Sequence, residues 1–351
     1  CAPPRRPEAM SGAGIAMTAT AGFWTDKRVF VTGSSGFLGS WTVKELNRRG
    51  ATTIGYVRDL GRHLSRRDDP ETEPHFTVHG ALEDHETILR AINEHEADTV
   101  LHLGAQPIVG IANRNPRSTF EANVRGTWNV LDACRELGGR VKRIVVASSD
   151  KAYGTAPSLP YDETMPLNGR HPYDASKSCA DIIAQTYHHT YRLPVCVTRA
   201  GNFFGGRDLN FNRIVPGVAR WAITGQRPVL RSDGSMIRDY IYVRDVVLAY
   251  LALAEAMEDE AIHGHAFNFS TEQPMSVIAL VRRILAAAGR ADLEPVILGE
   301  ATNEIPEQHL SAAKARAVLG WAPAFSLDAA LGETLAWYRA WLAAADGGEP
   351  A

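Results

Sequence analysis

The sequence predicts an α/β protein: a doubly wound parallel sheet with helices on both faces, followed by a smaller C-terminal α/β lobe. Three observations carry this. Short β-rich runs alternate with helical patterns from Phe23 to Ala200, the signature of βαβ units. The first such run ends in three spaced glycines that open a helix. After Ala200 the alternation loosens into loops rich in Asn, Gly and Pro.

Taken in order, 28–32 is the first strand, and a helix runs from Phe37 to about Arg49, where Gly50 stops it. Residues 52–57 and 76–79 read as strands, 86–95 as a helix and 99–103 as a strand. Residues 116–137 read as one long helix, 143–148 as a strand, 173–191 as a helix and 195–200 as a strand. Two helical stretches, 276–289 and 327–344, follow. Segments near 237–272, notably 240–246 and 266–270, are expected to return to the main sheet. The expected organisation is a main domain over 21–200, a lobe over 201–345 and a tail over 346–351. Residues 1–20, rich in Pro, Ala and Gly and without an apolar signal core, are expected to form a disordered extension; Met10 and Met17 are candidate starts.

Hydrophobic residues make up 45% and charged residues 22% of the 351, an ordinary globular mix. A net charge of −3 exerts no bulk pull on nucleic acid or an anionic membrane. No apolar run approaches the ~20 residues that span a bilayer. Cys1, Cys134, Cys179 and Cys196 form no CxxC pair and no metal-ligand spacing. They are expected as buried thiols in a reducing cytoplasm, and no metal is expected.

Gly33, Gly36 and Gly39 form GxxGxxG at the first βα turn. Gly33 permits the tight turn, Gly36 lets backbone approach a pyrophosphate at the helix N-terminus, and Gly39 allows close packing. This is the Rossmann dinucleotide loop, and Ser35, Phe37 and Leu38 lie along it. The residue closing the second strand normally separates NAD from NADP. Here Arg58 and Asp59 stand side by side, with Arg62, Arg66 and Arg67 offset by Asp68 and Asp69. The reading is NAD, with NADP left open by Arg58.

Tyr173 and Lys177 form YxxxK, one helical turn apart and so on one face. A lysine cation near the phenol is expected to lower its pKa toward the working range, making it a base beside a nicotinamide. Together with Leu103-Gly104-Ala105, Asn123-Val-Arg-Gly-Thr127 and Ser148-Ser149, these motifs resemble the extended short-chain dehydrogenase/reductase superfamily from about Phe23 to Leu342. The resemblance implies that Ser149 binds the reacting sugar oxygen and that Lys177 also holds the nicotinamide ribose. It places Leu82, Leu103, Ala105 and Asn123 around the cofactor, and Asn202 and Arg238 on the substrate, Arg238 at its diphosphate. Arg213 is a second diphosphate candidate, and for it and Arg207 plain surface charge is an equal reading. Gln106 and Arg170 are candidates for the sugar pocket. One departure exists: the family often has Gly-Asp after the third strand, whereas this chain has Gly80-Ala81.

Asp150 and Lys151 follow Ser149 directly. A 4-epimerase needs no proton carrier beyond the tyrosine. A 4,6-dehydratase must also remove the C5 proton and protonate the departing C6 hydroxyl, which demands a further acid and base. Asp150 as acid and Lys151 as base meet that demand, and the Asp-Lys pair resembles sugar-nucleotide dehydratases of the CDP-glucose type. The expected activity is therefore an NDP-hexose 4,6-dehydratase, with an NDP-sugar 4-epimerase as the alternative and a non-catalytic dinucleotide sensor as the remote one. The resemblance also implies a homodimer, with helices 116–137 and 173–191 pairing as a four-helix bundle. Val130, Leu131, Ala133, Ile182, Ile183 and Ala184 are the apolar residues expected to support it.

Overall fold

A computed structural model describes residues 22–59, 69–300 and 305–347. The expected extension over 1–20, the cluster Arg62, Arg66, Arg67 and Asp68, and the end of the tail lie outside the described residues.

Seven parallel strands form the main sheet: β1 Arg28–Thr32, β2 Thr52–Val57, β3 Phe76–His79, β4 Thr99–His102, β5 Arg143–Ala147, β6 Val195–Ala200 and β11 Ala266–Phe269. Their order is β11-β6-β5-β4-β1-β2-β3. The order reverses between β1 and β4, so the loops leaving those two strands diverge and open a crevice at their carboxyl ends.

Alternation along the strands sorts side chains to opposite faces. Val29 and Val31 join one core with Trp24, Trp321 and the helices α1 Phe37–Arg48 and α8 Val243–Ala256. Phe30 joins the other, with Ile88 and Ile92 of α2 His85–Glu94, Val130 and Leu131 of α5 Gly126–Glu136, and Ala184 of α6 Pro172–Tyr191.

Between β4 and β5 the chain makes α3 Val109–Arg114 and α4 Pro116–Phe120, then a π turn over Glu121–Arg125, then α5. The stretch expected as one helix is thus a helix with an inserted π turn, and Asn123 lies in that turn. Such bulges concentrate at functional sites.

Beyond β6 the chain crosses into β7 Asn202–Phe204, which pairs in parallel with β10 Tyr240–Tyr242. Residues 240–242, expected to return to the main sheet, therefore do not enter it, although β11 does. Gly201 explains the crossing: a Cβ there would lie 2.7 Å from the Asp239 carbonyl oxygen. A third core gathers α7 Ile214–Thr224, α9 Val277–Ala287 and α11 Leu327–Gly347. Two small sheets complete this part, the parallel pair β8 Val229–Leu230 with β13 Val296–Ile297, and a three-stranded sheet ordered β12-β9-β14. The latter contains β9 Ile237–Arg238, β12 Met275–Ser276 and β14 Glu307–Gln308. The last helix to place, α10 Ala313–Leu319, contributes Ala315 to the first core.

Cys134 and Cys196 are buried free thiols, but Cys179 is exposed, because it lies on the outward side of α6. No helix among the described residues is long and apolar enough to cross a membrane.

Candidate active site

The glycine loop has the shape its spacing implies. Gly33 has φ +66°, and a Cβ on it would sit 2.8 Å from the Cα of Gly104 in the loop after β4. Gly39 is tighter still: its Cβ would meet the Gly33 carbonyl oxygen at 2.1 Å. Gly36 is exposed and caps α1, with only that same oxygen near its notional Cβ. The N-terminus of α1 is therefore approachable by backbone-hugging phosphate, which is the fit a dinucleotide requires. Ser35 is buried, whereas Phe37 and Leu38 are half-buried and pack on the third core.

At the far end of β2, Arg58 and Asp59 are exposed and pair with each other, Nη2 to Oδ2 at 2.9 Å. Leu82 fills the space left by two glycines: notional Cβ atoms on Gly126 and Gly104 would lie 2.6 and 3.2 Å from its side chain. Gly80 has a packing cause, while nothing in the structure explains Ala81 in place of the family's Asp. A Cβ on Gly80 would meet the Tyr56 hydroxyl at 2.2 Å, and that hydroxyl donates to the Ala81 carbonyl at 2.8 Å.

Between the loops after β1 and β4 runs a directed hydrogen-bond chain. The Gly104 N–H donates to Thr32 Oγ1 at 2.9 Å, and Thr32 Oγ1 lies 2.8 Å from His102 Nδ1. His102 Nε2 lies 3.1 Å from Thr127 Oγ1, which donates to the Asn123 carbonyl at 2.6 Å. With the Thr127 proton committed, Nε2–H is the donor and the ring is neutral. Burial, and then the Lys177 charge, push the His102 pKa down to about 3. Sequence reading missed His102, which shows there only as one polar residue in an apolar strand.

Leu103 packs against the first core, and Ala105 is half-buried beside it. Asn123 and Gln106 are braces rather than free contacts. The Asn123 amide accepts from Gln106 N–H at 2.7 Å and donates to Gln106 O and to Ser176 Oγ at 2.9 Å. Gln106 turns its own amide to Ile108 and Thr119. Together they tie the loop after β4 to the first turn of α6, where Ser176 Oγ donates to the Tyr173 carbonyl.

After β5, Ser149 caps a 3₁₀ turn over Asp150–Tyr153 by accepting from Lys151 N–H at 3.2 Å. Its hydroxyl donates to Asp150 Oδ1 at 3.0 Å, while Asp150 Oδ2 is buried with no partner among the described residues. Lys151 is half-buried, and its Nζ donates to Gln308 Oε1 at 3.0 Å. Gly154, at φ +64°, closes the turn against Asn168. Ser178 of α6 donates to the Ala152 carbonyl at 2.8 Å, fixing the turn to the helix that carries Tyr173 and Lys177.

Burial lowers the Lys177 pKa to about 8 against an opposing pull from Asp181, and its Nζ donates to the Ala147 carbonyl at 2.7 Å. Tyr173 corrects an expectation. Its pKa is not lowered but pushed up to about 12, first by burial and then by the Asp150 charge, which outweigh Arg213 and the hydrogen bond with Ser149. Asp174, beside it, is raised chiefly by burial.

On the substrate side, Arg238 is buried in β9 and donates to the Ile237 and Pro306 carbonyls. Asn202 starts β7, with its N–H on the Asp239 carbonyl at 2.9 Å. Arg213 caps α7 and reaches Asp208 at 2.9 Å, a third of its side chain still exposed. Arg207 is not surface charge: it is buried and bonded to Asp69 and Thr72. Arg170 is exposed on the loop before α6.

A glycine-loop sheet with Ser149, Tyr173 and Lys177 at its crevice defines a nucleotide-sugar enzyme of the extended short-chain dehydrogenase/reductase class. The GDP-mannose 4,6 dehydratase family profile matches residues 30–334, and the chain belongs to that family. A CDP-glucose 4,6-dehydratase of Salmonella typhimurium is 31% identical over 92% of this chain and 94% of its own. A dTDP-glucose 4,6-dehydratase of Xanthomonas campestris pv. campestris is 27% identical over 88% of this chain and 92% of its own. Among solved structures, a UDP-glucose 4-epimerase of Thermotoga maritima superposes with a TM-score of 0.80 at 27% identity, covering 90% of this chain and 99% of that one. A dTDP-glucose 4,6-dehydratase of Streptomyces venezuelae with NAD bound superposes at 0.78 and 25% identity, covering 89% and 97%.

Proposed function

We propose that this chain is an NDP-hexose 4,6-dehydratase of the CDP-glucose type working with NAD. The observation that carries it is the acid–base pair Asp150 and Lys151 on the turn that Ser149 caps, beside Tyr173. Ser149 holds the C4 oxygen and Tyr173 takes its proton. The glycine loop and Lys177 would hold NAD, which would supply a hydride acceptor for C4 and a hydride donor for C6. The resulting 4-keto group acidifies the C5 proton, which Lys151 removes. Asp150 protonates the C6 hydroxyl and water leaves, giving a 4-keto-5,6-ene; hydride then adds at C6 while Lys151 returns a proton to C5, and the product is a 4-keto-6-deoxy sugar. Tyr173 needs a cation close by to act as base, because burial alone favours its phenol. Asn202, Arg213 and Arg238 hold the nucleotide diphosphate.

The mutual pairing of Arg58 and Asp59 supports NAD over NADP, since the guanidinium is already engaged by a carboxylate. The redox cycle is internal, so the purified protein carries its cofactor and needs no external reductant. The test is incubation with a panel of NDP-sugars and mass spectrometry of the products; loss of water from at least one is expected. The second reading, a 4-epimerase, is favoured by the superposition on the Thermotoga enzyme, and would give an isomer of unchanged mass.

The chain further reads as a homodimer through α4, α5 and α6. Val130, Leu131, Ala133 and Ala184 do not supply that face, because they are fully buried in the protomer's own core, against which Ile183 also packs. Phe120, Trp128 and Ile182 supply it instead; each is more than a third exposed, and Phe120, Trp128 and Cys179 line one concavity. The free thiols at Cys134, Cys179 and Cys196 support a reducing, cytoplasmic setting.

A further inference from the structure

The geometry points to Gln308 as the positioning residue for Lys151, held in register with the diphosphate contact Arg238; this rests on the dehydratase reading above. Gln308 lies in β14, more than 150 residues beyond the turn it touches. Its side chain is 1% exposed, and its Oε1 accepts from Lys151 Nζ at 3.0 Å. Its amide nitrogen is buried near the Tyr161 hydroxyl yet makes no hydrogen bond of normal geometry among the described residues. A buried amide whose oxygen is fixed on the lysine and whose nitrogen sits beside the Tyr161 hydroxyl holds polar atoms where an apolar side chain would pack, so its contact with Lys151 is what the residue is there to make.

The ladder explains how it gets there. β14 pairs in parallel with β9, placing Gln308 opposite Arg238, and β12 pairs antiparallel on the other side of β9, placing Met275 opposite the same arginine. Past Gln308 the chain runs alongside Tyr161, whose N–H donates to the His309 carbonyl at 2.9 Å. The contact with Lys151 is therefore built from the same small sheet that carries Arg238, so the diphosphate anchor and the proton-removing amine share one support. A neutral amide suits this task. It fixes Nζ through a carbonyl acceptor without adding the negative charge that would hold the lysine as an ammonium. The titratable and charged groups around this contact are Asp150 on the turn, Tyr161 on the loop beyond it, Tyr173 and Asp174 on α6, Arg238 and Asp239 at β9, Glu307 on β14, and His309 just past it, which pairs with Glu307.

Two variants and two readouts test it. Oxidation at C4 is followed in a single turnover, and exchange of the C5 hydrogen with deuterated water is followed in the product. Gln308→Met keeps the volume and loses the acceptor. It should oxidise C4 within about threefold of the parent while C5 exchange and water loss slow by about 10–100-fold, the scale of a misplaced reacting group. Gln308→Glu restores an acceptor as an anion, so its C5 step should recover with its pH profile displaced upward. Equal slowing of both steps in Gln308→Met, or C5 exchange at the parent rate, overturns the assignment. So does a Gln308→Glu profile that coincides with the parent's, and that variant alone decides if Gln308→Met does not fold. A parent enzyme that shows neither C5 exchange nor water loss sinks the dehydratase reading itself, and this inference with it. Where the parent shows both, an unexpected result in the variants counts against the role of Gln308 alone.

Discussion

Asp150, His102 and Tyr173 each occupy a place where burial sets the chemistry. Asp150 accepts from Ser149 on one oxygen, and its other oxygen is buried with no partner among the described residues. Asp150→Asn should oxidise C4 normally in a single turnover yet slow water loss by roughly 10²–10⁴, the usual worth of a general acid. His102 yields a pH prediction. Its folded pKa of about 3 lies below the ordinary 6.5, so as pH falls the unfolded chain takes up the proton first. Stability is thus complete above pH 6.5 and drains away toward pH 3. Denaturant unfolding at pH 7 and pH 4 should show the parent losing about 3 kcal/mol more than His102→Gln, at ~1.4 kcal/mol per pKa unit. Equal losses in the two proteins would show that the ring is not held neutral by the fold.

At the scale of elements, the glycine loop is the part most sensitive to one added carbon. Gly39→Ala drives a Cβ into the Gly33 carbonyl, which is backbone and cannot swing away. The variant should lose its bound cofactor on purification and about 2 kcal/mol of stability, read by absorbance and thermal melting. The strands of the main sheet were legible in sequence because each is a compact β-branched or aromatic run bounded by turn residues. Thr52–Val57 follows Gly50, and Val195–Ala200 follows Pro194. Ser149, Tyr173 and Lys177 were legible because their spacing is local and tied to those strands. Gln308 was not, since a two-residue strand such as β14 has no periodicity, and its register on β9 is decided only by tertiary packing. The π turn at Asn123 was hidden for a similar reason: nothing in a helical pattern marks where one extra residue is inserted. The raised pKa of Tyr173 was invisible because desolvation is a property of the folded crevice, whereas YxxxK spacing reports only proximity.

Over the whole molecule, a continuous main sheet fixes the crevice, and the small sheets after Ala200 bring Arg238 and Gln308 to its mouth. The exposed Phe120, Trp128 and Ile182 lie on helices that also carry Asn123 and Tyr173, so association would stiffen the site's own scaffold. Sedimentation should show the parent at twice the 38.3 kDa chain mass, and Trp128→Glu with Ile182→Glu should give the single-chain mass. A parent that sediments only as a single chain at micromolar concentration would remove the dimer. The central claim, that hydrogen moves within one sugar from C4 to C6, has a direct test. Turnover of an NDP-hexose deuterated at C4 should place the label in the C6 methyl group of a 4-keto product. Label retained at C4 with inverted configuration would contradict the account and make the chain an epimerase.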